Sequence, residues 1–269
     1  MKNIRCVITD LDGTLLTTDK VVSDFNRDVI RKLSQTNIAF GIATGRPVEA
    51  VLKKMASENI LEYIDVIVAS NGVDIIEPKK NKMESTFQLS KADLLAIVEL
   101  MKPLDVNFCV YGKEKMYTSR IDETILRIEK QNYLTPIIIT PNELPLDKMN
   151  KVIFTVEPNR MPEVRAFMAT LNQSKYNYFQ SLPDLVEFVD GRVSKAVGLA
   201  IYAKKHGFSC DEVMVFGDTS NDIEMLEHCG WGVCMANGTA DALAIAKDIA
   251  LSNDEDGVGH YIKKAFSLE

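Results

Sequence analysis

Short, largely apolar runs recur along the first third of the chain. They fall at residues 4–9, 39–43 and 65–69, and each is too short for a helix and too continuous for a half-exposed strand. Between them the apolar positions take the helical period. Ser23 is placed to cap a helix whose inner face is Phe25, Val29, Ile30 and Leu33, and Pro47 starts another that buries Val48, Val51, Leu52 and Met55. Strands buried on both faces and alternating with helices predict a parallel sheet covered on both sides. The same texture returns after Gly191. A helix from Ser194 is expected to bury Ala196, Val197, Leu199, Ala200 and Tyr202. Strands are expected at 213–216, 232–235 and 249–251, and helices at Ile223-Met225-Leu226, from Thr239 and from Val258.

The middle of the chain reads differently. Pro78-Lys79-Lys80-Asn81-Lys82 looks like a polar connector, and strand-like segments near 106–110, 115–118, 136–140, 151–157, 176–180 and 185–189 alternate more. Helical stretches are expected near 90–102, 122–132 and 160–172. This reads as an α+β unit with one sheet face wet and the other helix-covered. The predicted fold class is therefore α/β: a Rossmann-like, doubly wound parallel-sheet core (1–81 and 187–269) with an inserted α+β cap domain (82–186).

Composition narrows the function classes. The chain has 269 residues, 46% of them hydrophobic, which suits a substantial core and argues against disorder. With 31 basic and 38 acidic residues the net charge is −7, a poor match to nucleic acid or an anionic membrane. No secretory leader and no transmembrane run is evident, so the expected location is cytoplasmic. Cys6, Cys109, Cys210, Cys229 and Cys234 form no C-x-x-C pair and are expected reduced and mostly buried. His206, His228 and His260 lack metal-ligand spacing.

The chemistry-bearing residues collect at one edge of the predicted sheet. Asp10 and Asp12 leave the first strand into a glycine turn. Thr44-Gly45 follows the second strand, Lys195 opens the helix after Gly191, and Asp218, Asn221 and Asp222 follow the 213–216 strand. Taken singly, each has a plain reading: a surface turn, a strand-to-helix turn, a solvated helix lysine, a capped helix start. Together they lie where open α/β sheets bind ligands, outside the carboxyl ends of the strands. Phosphate monoesters resist hydrolysis so strongly that enzymes face accelerations of up to about 10²¹. A carboxylate attacking a dianionic phosphate needs a cation to remove the repulsion. Asp10, Asp218 and the backbone carbonyl of Asp12 offer the all-oxygen ligands that suit Mg²⁺. Lys195, the Thr44 hydroxyl and the backbone N–H groups of Leu11 and Gly45 suit the phosphoryl oxygens.

In these motifs, Asp10-Leu11-Asp12-Gly13-Thr14, Thr44-Gly45-Arg46, Lys195 and Gly217-Asp218-Thr219-Ser220-Asn221-Asp222, the chain resembles the haloacid dehalogenase superfamily. Ser70-Asn71-Gly72 and Asn253-Asp254-Glu255-Asp256-Gly257-Val258 resemble its Cof-type branch of sugar-phosphate-type phosphatases. Asn237-Gly238 departs from the Asn-Ala expected there. The resemblance implies a Mg²⁺-dependent phosphatase of small phosphomonoesters. Asp10 would be the nucleophile that forms an aspartyl-phosphate, and Asp12 the acid and base. Asn221 would contact phosphate, and Asp222 would stand behind Lys195 or a water on the metal. For Asp12 to act as an acid, burial and neighbouring negative charge are expected to favour its neutral form, since a free aspartic acid has a pKa of about 3.9. The implied partner is a small phosphorylated molecule, with no nucleic acid, membrane or obligate protein partner. The competing readings are a phosphomutase, which would pass the phosphoryl group to a sugar, and a non-catalytic sensor of a phosphorylated metabolite.

Overall fold

The computed structural model describes residues 3–171 and 174–269. The chain first builds β1 (Cys6–Thr9), α1 (Asp24–Leu33), β2 (Ala39–Ala43), α2 (Val48–Ser57), β3 (Val66–Ala69), β4 (Asp74–Glu77) and β5 (Lys82–Ser85). It then makes β6 (Leu89–Ser90), α3 (Lys91–Met101), β7 (Asn107–Tyr111), β8 (Lys115–Thr118), α4 (Glu123–Asn132), β9 (Thr135–Ile138) and β10 (Lys148–Met149). β11 (Val152–Thr155), α5 (Met161–Met168), β12 (Tyr176–Leu182) and β13 (Leu185–Asp190) follow. Last come α6 (Lys195–Lys205), β14 (Val213–Gly217), α7 (Ile223–His228), β15 (Trp231–Met235), α8 (Ala240–Ile245), β16 (Asp248–Ala250) and α9 (Gly257–Ala265).

Two compact units result, Met1–Ser85 with Ser194–Glu269, and Thr86–Val193. The chain passes between them at 85/86 and 193/194, later in both cases than the expected 82 and 186. The reason lies in Pro78–Lys80. This segment is a short 3₁₀ turn, with Asn81 left-handed after it, that joins β4 to β5 as an antiparallel hairpin on the edge of the first unit's sheet. What reads as a polar linker is therefore a hairpin turn.

The first unit's sheet has the order β16-β15-β14-β1-β2-β3-β4-β5, parallel from β16 to β3. Both faces are dry, and successive strand residues serve opposite faces. Val7, Phe40, Ile42, Met214 and Phe216 pack under α1, α2 and α9, while Cys6, Ile8, Val213 and Val215 pack under α6, α7 and α8. The expected caps form: Ser23 accepts a hydrogen bond from the Asn26 N–H, and Pro47 precedes α2. In α6 the inward stripe differs from the expected one. Ala200 is exposed and Val197 half-buried, whereas Lys195, Gly198 and Ala203 face inward. Gly198 sits where a Cβ would meet Val68 and the Gly72 backbone, and this close approach sets the helix rotation.

The second unit holds a six-stranded sheet, β12-β13-β11-β7-β8-β9, and a small β10-β6 pair. Neither face of the large sheet is simply wet. α3 and α5 cover Phe108, Val110, Phe154, Val186 and Phe188. On the other face, Ile125 and Ile128 of α4 cover Cys109, Met116, Ile153 and Leu185. The run Phe108-Cys109-Val110 is apolar on both sides of the strand, which is what a two-face burial requires. The helix expected over 160–172 ends at Met168, and residue 172 lies outside the described residues. Among the described residues no helix is long and apolar enough to cross a membrane.

Candidate active site

All the singled-out residues belong to the first unit and sit at the carboxyl ends of its parallel strands or on helices entering that edge. β1 delivers Asp10, whose N–H bonds the Phe216 carbonyl of β14 at 2.9 Å, so the first and fourth motifs are tied by backbone. The chain then coils on itself. The Leu15 N–H bonds the Asp10 carbonyl (3.3 Å) and the Leu16 N–H the Leu11 carbonyl (2.8 Å). The Leu11 side chain is fully buried and anchors this turn. Gly13 has φ +91°, and a Cβ there would stand 2.4 Å from Asp218 Oδ2. Only glycine lets the two loops approach this closely.

At the centre is Lys195, 1% exposed. Its Nζ donates to Asp10 Oδ1 and Asp222 Oδ1, both at 2.7 Å. Burial pushes the lysine pKa down, but the two carboxylates outweigh that and hold it above the usual value. Asp222 is locked further, since its Oδ2 accepts the N–H groups of Asp218 (3.0 Å) and Thr219 (3.2 Å). Asp218 Oδ1 accepts the Thr14 hydroxyl at 2.9 Å. Burial, with the charges of Asp222 and Asp218 and against the pull of Lys195, raises Asp10 to about 8. Burial, with the charge of Asp222, raises Asp218 to about 6.

These shifts describe a site with more buried negative charge than its single lysine offsets. Asp10, Asp218 and Asp222 each offer an oxygen, and these atoms lie within 4.8 Å of one another. An all-oxygen donor set of this charge fits a hard divalent cation such as Mg²⁺. Asp10 and Asp218 are the better placed to ligate it, because both Asp222 oxygens already accept hydrogen bonds.

Asp12 departs from expectation. Its carboxylate is 37% exposed and accepts a forked pair of bonds from Arg46, Nε to Oδ2 at 2.7 Å and Nη2 to Oδ1 at 2.8 Å, with Lys20 Nζ at 3.2 Å. Partial burial pushes its pKa up, yet Arg46 and Lys20 outweigh that and hold it below the ordinary carboxylate value. The surroundings favour the charged form rather than the neutral form the sequence led us to expect. The cause is local: the Thr44-Gly45-Arg46 turn aims the guanidinium back at the β1 loop.

Thr44 is buried, its N–H bonded to the Val68 carbonyl (2.8 Å) and its hydroxyl accepting the Arg46 N–H (3.2 Å). Gly45 lies against Asn71, where a Cβ would meet the Asn71 Oδ1 at 3.0 Å. Asn71 is left-handed (φ 58°), and its Oδ1 accepts the Asn221 amide at 3.4 Å, linking the turn after β3 to the fourth motif. Asn221 itself is exposed. Sequence reasoning left Thr14, Lys20, Arg46 and Asn71 without roles. Three of them lie within the quoted motifs, so the signal was present without the pairing. Gly238 is also accounted for: a Cβ there would stand 2.9 Å from the Met235 carbonyl oxygen and 3.1 Å from that of Asp218.

A family model of haloacid dehalogenase-like hydrolases matches residues 7–262. The protein YxeH of Bacillus subtilis (strain 168) is 28% identical over 262 residues, covering 96% of this chain and 97% of that one. The 5-amino-6-(5-phospho-D-ribitylamino)uracil phosphatase YitU of the same organism is 26% identical over 266 residues, 97% of each chain. A crystal structure of a haloacid dehalogenase-like hydrolase from Bacteroides thetaiotaomicron matches with a TM-score of 0.86 at 25% identity, covering 98% of this chain and 100% of that one.

Proposed function

Since the chain belongs to the haloacid dehalogenase-like hydrolases, in their Cof-type branch, we propose that it is a phosphatase that hydrolyses small phosphomonoesters through a phosphorylated Asp10. The observation that carries this reading is the buried Asp10–Lys195–Asp222 chain beside Asp218. A nucleophile, a fixed cation and a metal-ligating carboxylate meet there at one strand edge.

Asp10 attacks phosphorus with one carboxylate oxygen while Lys195 holds the other, which keeps the nucleophile in one rotamer. Asp10, Asp218 and the Asp12 carbonyl would hold Mg²⁺, which would supply charge neutralisation for the incoming dianion. Lys195, the Thr44 hydroxyl, the Asn221 amide and the N–H groups of Leu11 and Gly45 bind the equatorial oxygens, where charge spreads in the transition state. Asp222 keeps Lys195 protonated and aimed.

Asp12 starts as a carboxylate gripped by Arg46. An arriving phosphate dianion competes for that guanidinium and places negative charge beside Asp12, so Asp12 takes up the proton it then gives to the leaving alcohol. In the second half-reaction the restored carboxylate takes a proton from the attacking water. Choice of leaving group is assigned to the inserted unit, and a sugar phosphate is the substrate class we favour.

The test is phosphate release from a panel of phosphorylated sugars, nucleotides and cofactors. Wild type should turn over with Mg²⁺ and stop in excess chelator, and Asp10→Asn should be inactive but folded. An Asp10→Asn protein with wild-type turnover would overturn the mechanism.

A further inference from the structure

Three thiols gather beside the strands that carry the first and fourth motifs: Cys6 on β1, Cys210 before β14 and Cys229 after α7. Cys229 is 1% exposed and Cys6 fully buried. Cys210 is half-buried and lines an open surface pocket of about 430 Å³ with Lys204, Phe208 and Ser209.

The backbone fixes the Cys210–Cys229 pair. The Gly230 N–H bonds the Cys210 carbonyl at 2.8 Å, and the Cys229 N–H bonds the Met225 carbonyl at 3.1 Å. Lys247 Nζ donates to the Cys229 carbonyl (2.8 Å) and the Gly230 carbonyl (3.0 Å). Gly230 runs so close to Asp211 that a Cβ would overlap its carbonyl, so the two segments approach each other directly. A disulfide needs Cα atoms about 4.4–6.8 Å apart. A backbone hydrogen bond from the peptide next to one cysteine to the carbonyl of the other brings chains to about that spacing. All five cysteines are free thiols.

We propose that Cys210 and Cys229 form a reversible disulfide when the protein meets a hydroperoxide. The sulfur of half-buried Cys210 attacks the peroxide oxygen, breaking the O–O bond to give a sulfenic acid and water (alcohol, for an organic peroxide). The Cys229 sulfur then attacks the Cys210 sulfur, its proton leaving with the hydroxyl as a second water. Two thiols are oxidised and one peroxide reduced. Exposure orders the roles: Cys210 is half-buried and lines the open pocket, where a peroxide can reach it, while Cys229 is 1% exposed and can only resolve.

The bond would have a particular consequence. Residues 210–229 contain β14, Asp218, Asn221, Asp222 and all of α7. Oxidation therefore closes a covalent loop around one whole motif of the site and restrains it from both ends.

The experiment treats the full-length protein with hydrogen peroxide, alkylates the remaining thiols and maps non-reduced peptides. The expected result is an intramolecular 210–229 cross-link, a mass lower by two hydrogens, a raised Tm, and reversal by dithiothreitol. Cys229→Ala should stop at a Cys210 sulfenic acid that dimedone traps, and Cys210→Ala should form neither product. A cross-link through Cys6, a disulfide between two molecules, or a wild-type Cys210 that proceeds to sulfinic acid without cross-linking would overturn the proposal. None of these readouts depends on turnover, so they stand apart from the phosphatase reading.

Discussion

Lys195→Met tests the electrostatic logic of the site most directly. The substitution keeps much of the aliphatic stem and removes a charge that is 1% exposed and bonded to two carboxylates at 2.7 Å each. Breaking a buried pair by removing one partner costs about 3–5 kcal/mol, because the remaining charge is left uncompensated. Here two carboxylates are left, so the upper half of that range is expected at pH 8 in chelator. At roughly 2–4 °C per kcal/mol for a chain of this size, Tm should fall by about 8–20 °C.

The pH dependence carries the argument. Without the pull of Lys195 the folded-state pKa of Asp10, already raised by burial, rises further, so the folded mutant holds more protons than the unfolded chain. Its penalty is smallest at low pH and grows as pH rises through the raised values. Each proton is worth about 1.4 kcal/mol per pH unit, so most of the penalty should be gone near pH 5. Urea or thermal unfolding of wild type and variant, followed by circular dichroism at pH 5 and pH 8, measures the difference. A loss that is equal at both pH values, or below about 1 kcal/mol at pH 8, would show that Lys195 is not the counterion of a buried acidic pair.

Further outcomes follow from the same geometry. Because Asp10 is raised to about 8 and Asp218 to about 6, metal binding must displace protons, and Mg²⁺ affinity measured by calorimetry should rise from pH 5 to pH 8. The same raised values mean that the metal-free protein loses stability as pH climbs from about 4 through 6 to 8, and that added Mg²⁺ restores Tm most at the alkaline end; a flat Tm across that range would contradict it. Arg46→Ala removes the fork on Asp12 and should lower kcat/KM by about ten- to a hundredfold, the equivalent of roughly 1.5–3 kcal/mol for hydrogen bonds to a charged group. The deficit should be larger for alkyl phosphates than for aryl phosphates with good leaving groups, and equal losses for both would show that Arg46 does not act through Asp12. Gly13→Ala places a Cβ 2.4 Å from Asp218 Oδ2 at φ +91°, so turnover should collapse together with Mg²⁺ affinity; normal activity would mean the loop shifts freely.

Much of the fold was legible along the chain because burial on both faces of a parallel strand leaves an uninterrupted apolar run. Residues 39–43 and 213–216 could hardly be anything else, and Ser23 and Pro47 punctuate their helices locally. The hairpin of β4 and β5 was missed because the exposed outer strand Lys82–Ser85 carries no apolar pattern, and its pairing exists only through its neighbour. The second helical face of the inserted unit was missed for a related reason. Whether Cys109 and Ile153 face water depends on where α4 docks, which no local period encodes.

The residue types of the candidate site are local facts too: two aspartates at a strand end, a lysine opening a helix, an acidic turn. Their charge states are not. Lys195 stands 185 positions from Asp10 and 27 from Asp222, and only the sheet order brings all three into a volume too dry for water to screen them. Asp12 has the same residue type as Asp10, two positions away, and ends with its pKa shifted the opposite way. Sequence by itself determined which groups could do the chemistry. Tertiary structure decided which are buried, which meet a cation and therefore which hold a proton, because electrostatic energy depends on distance through space and on exposure to solvent.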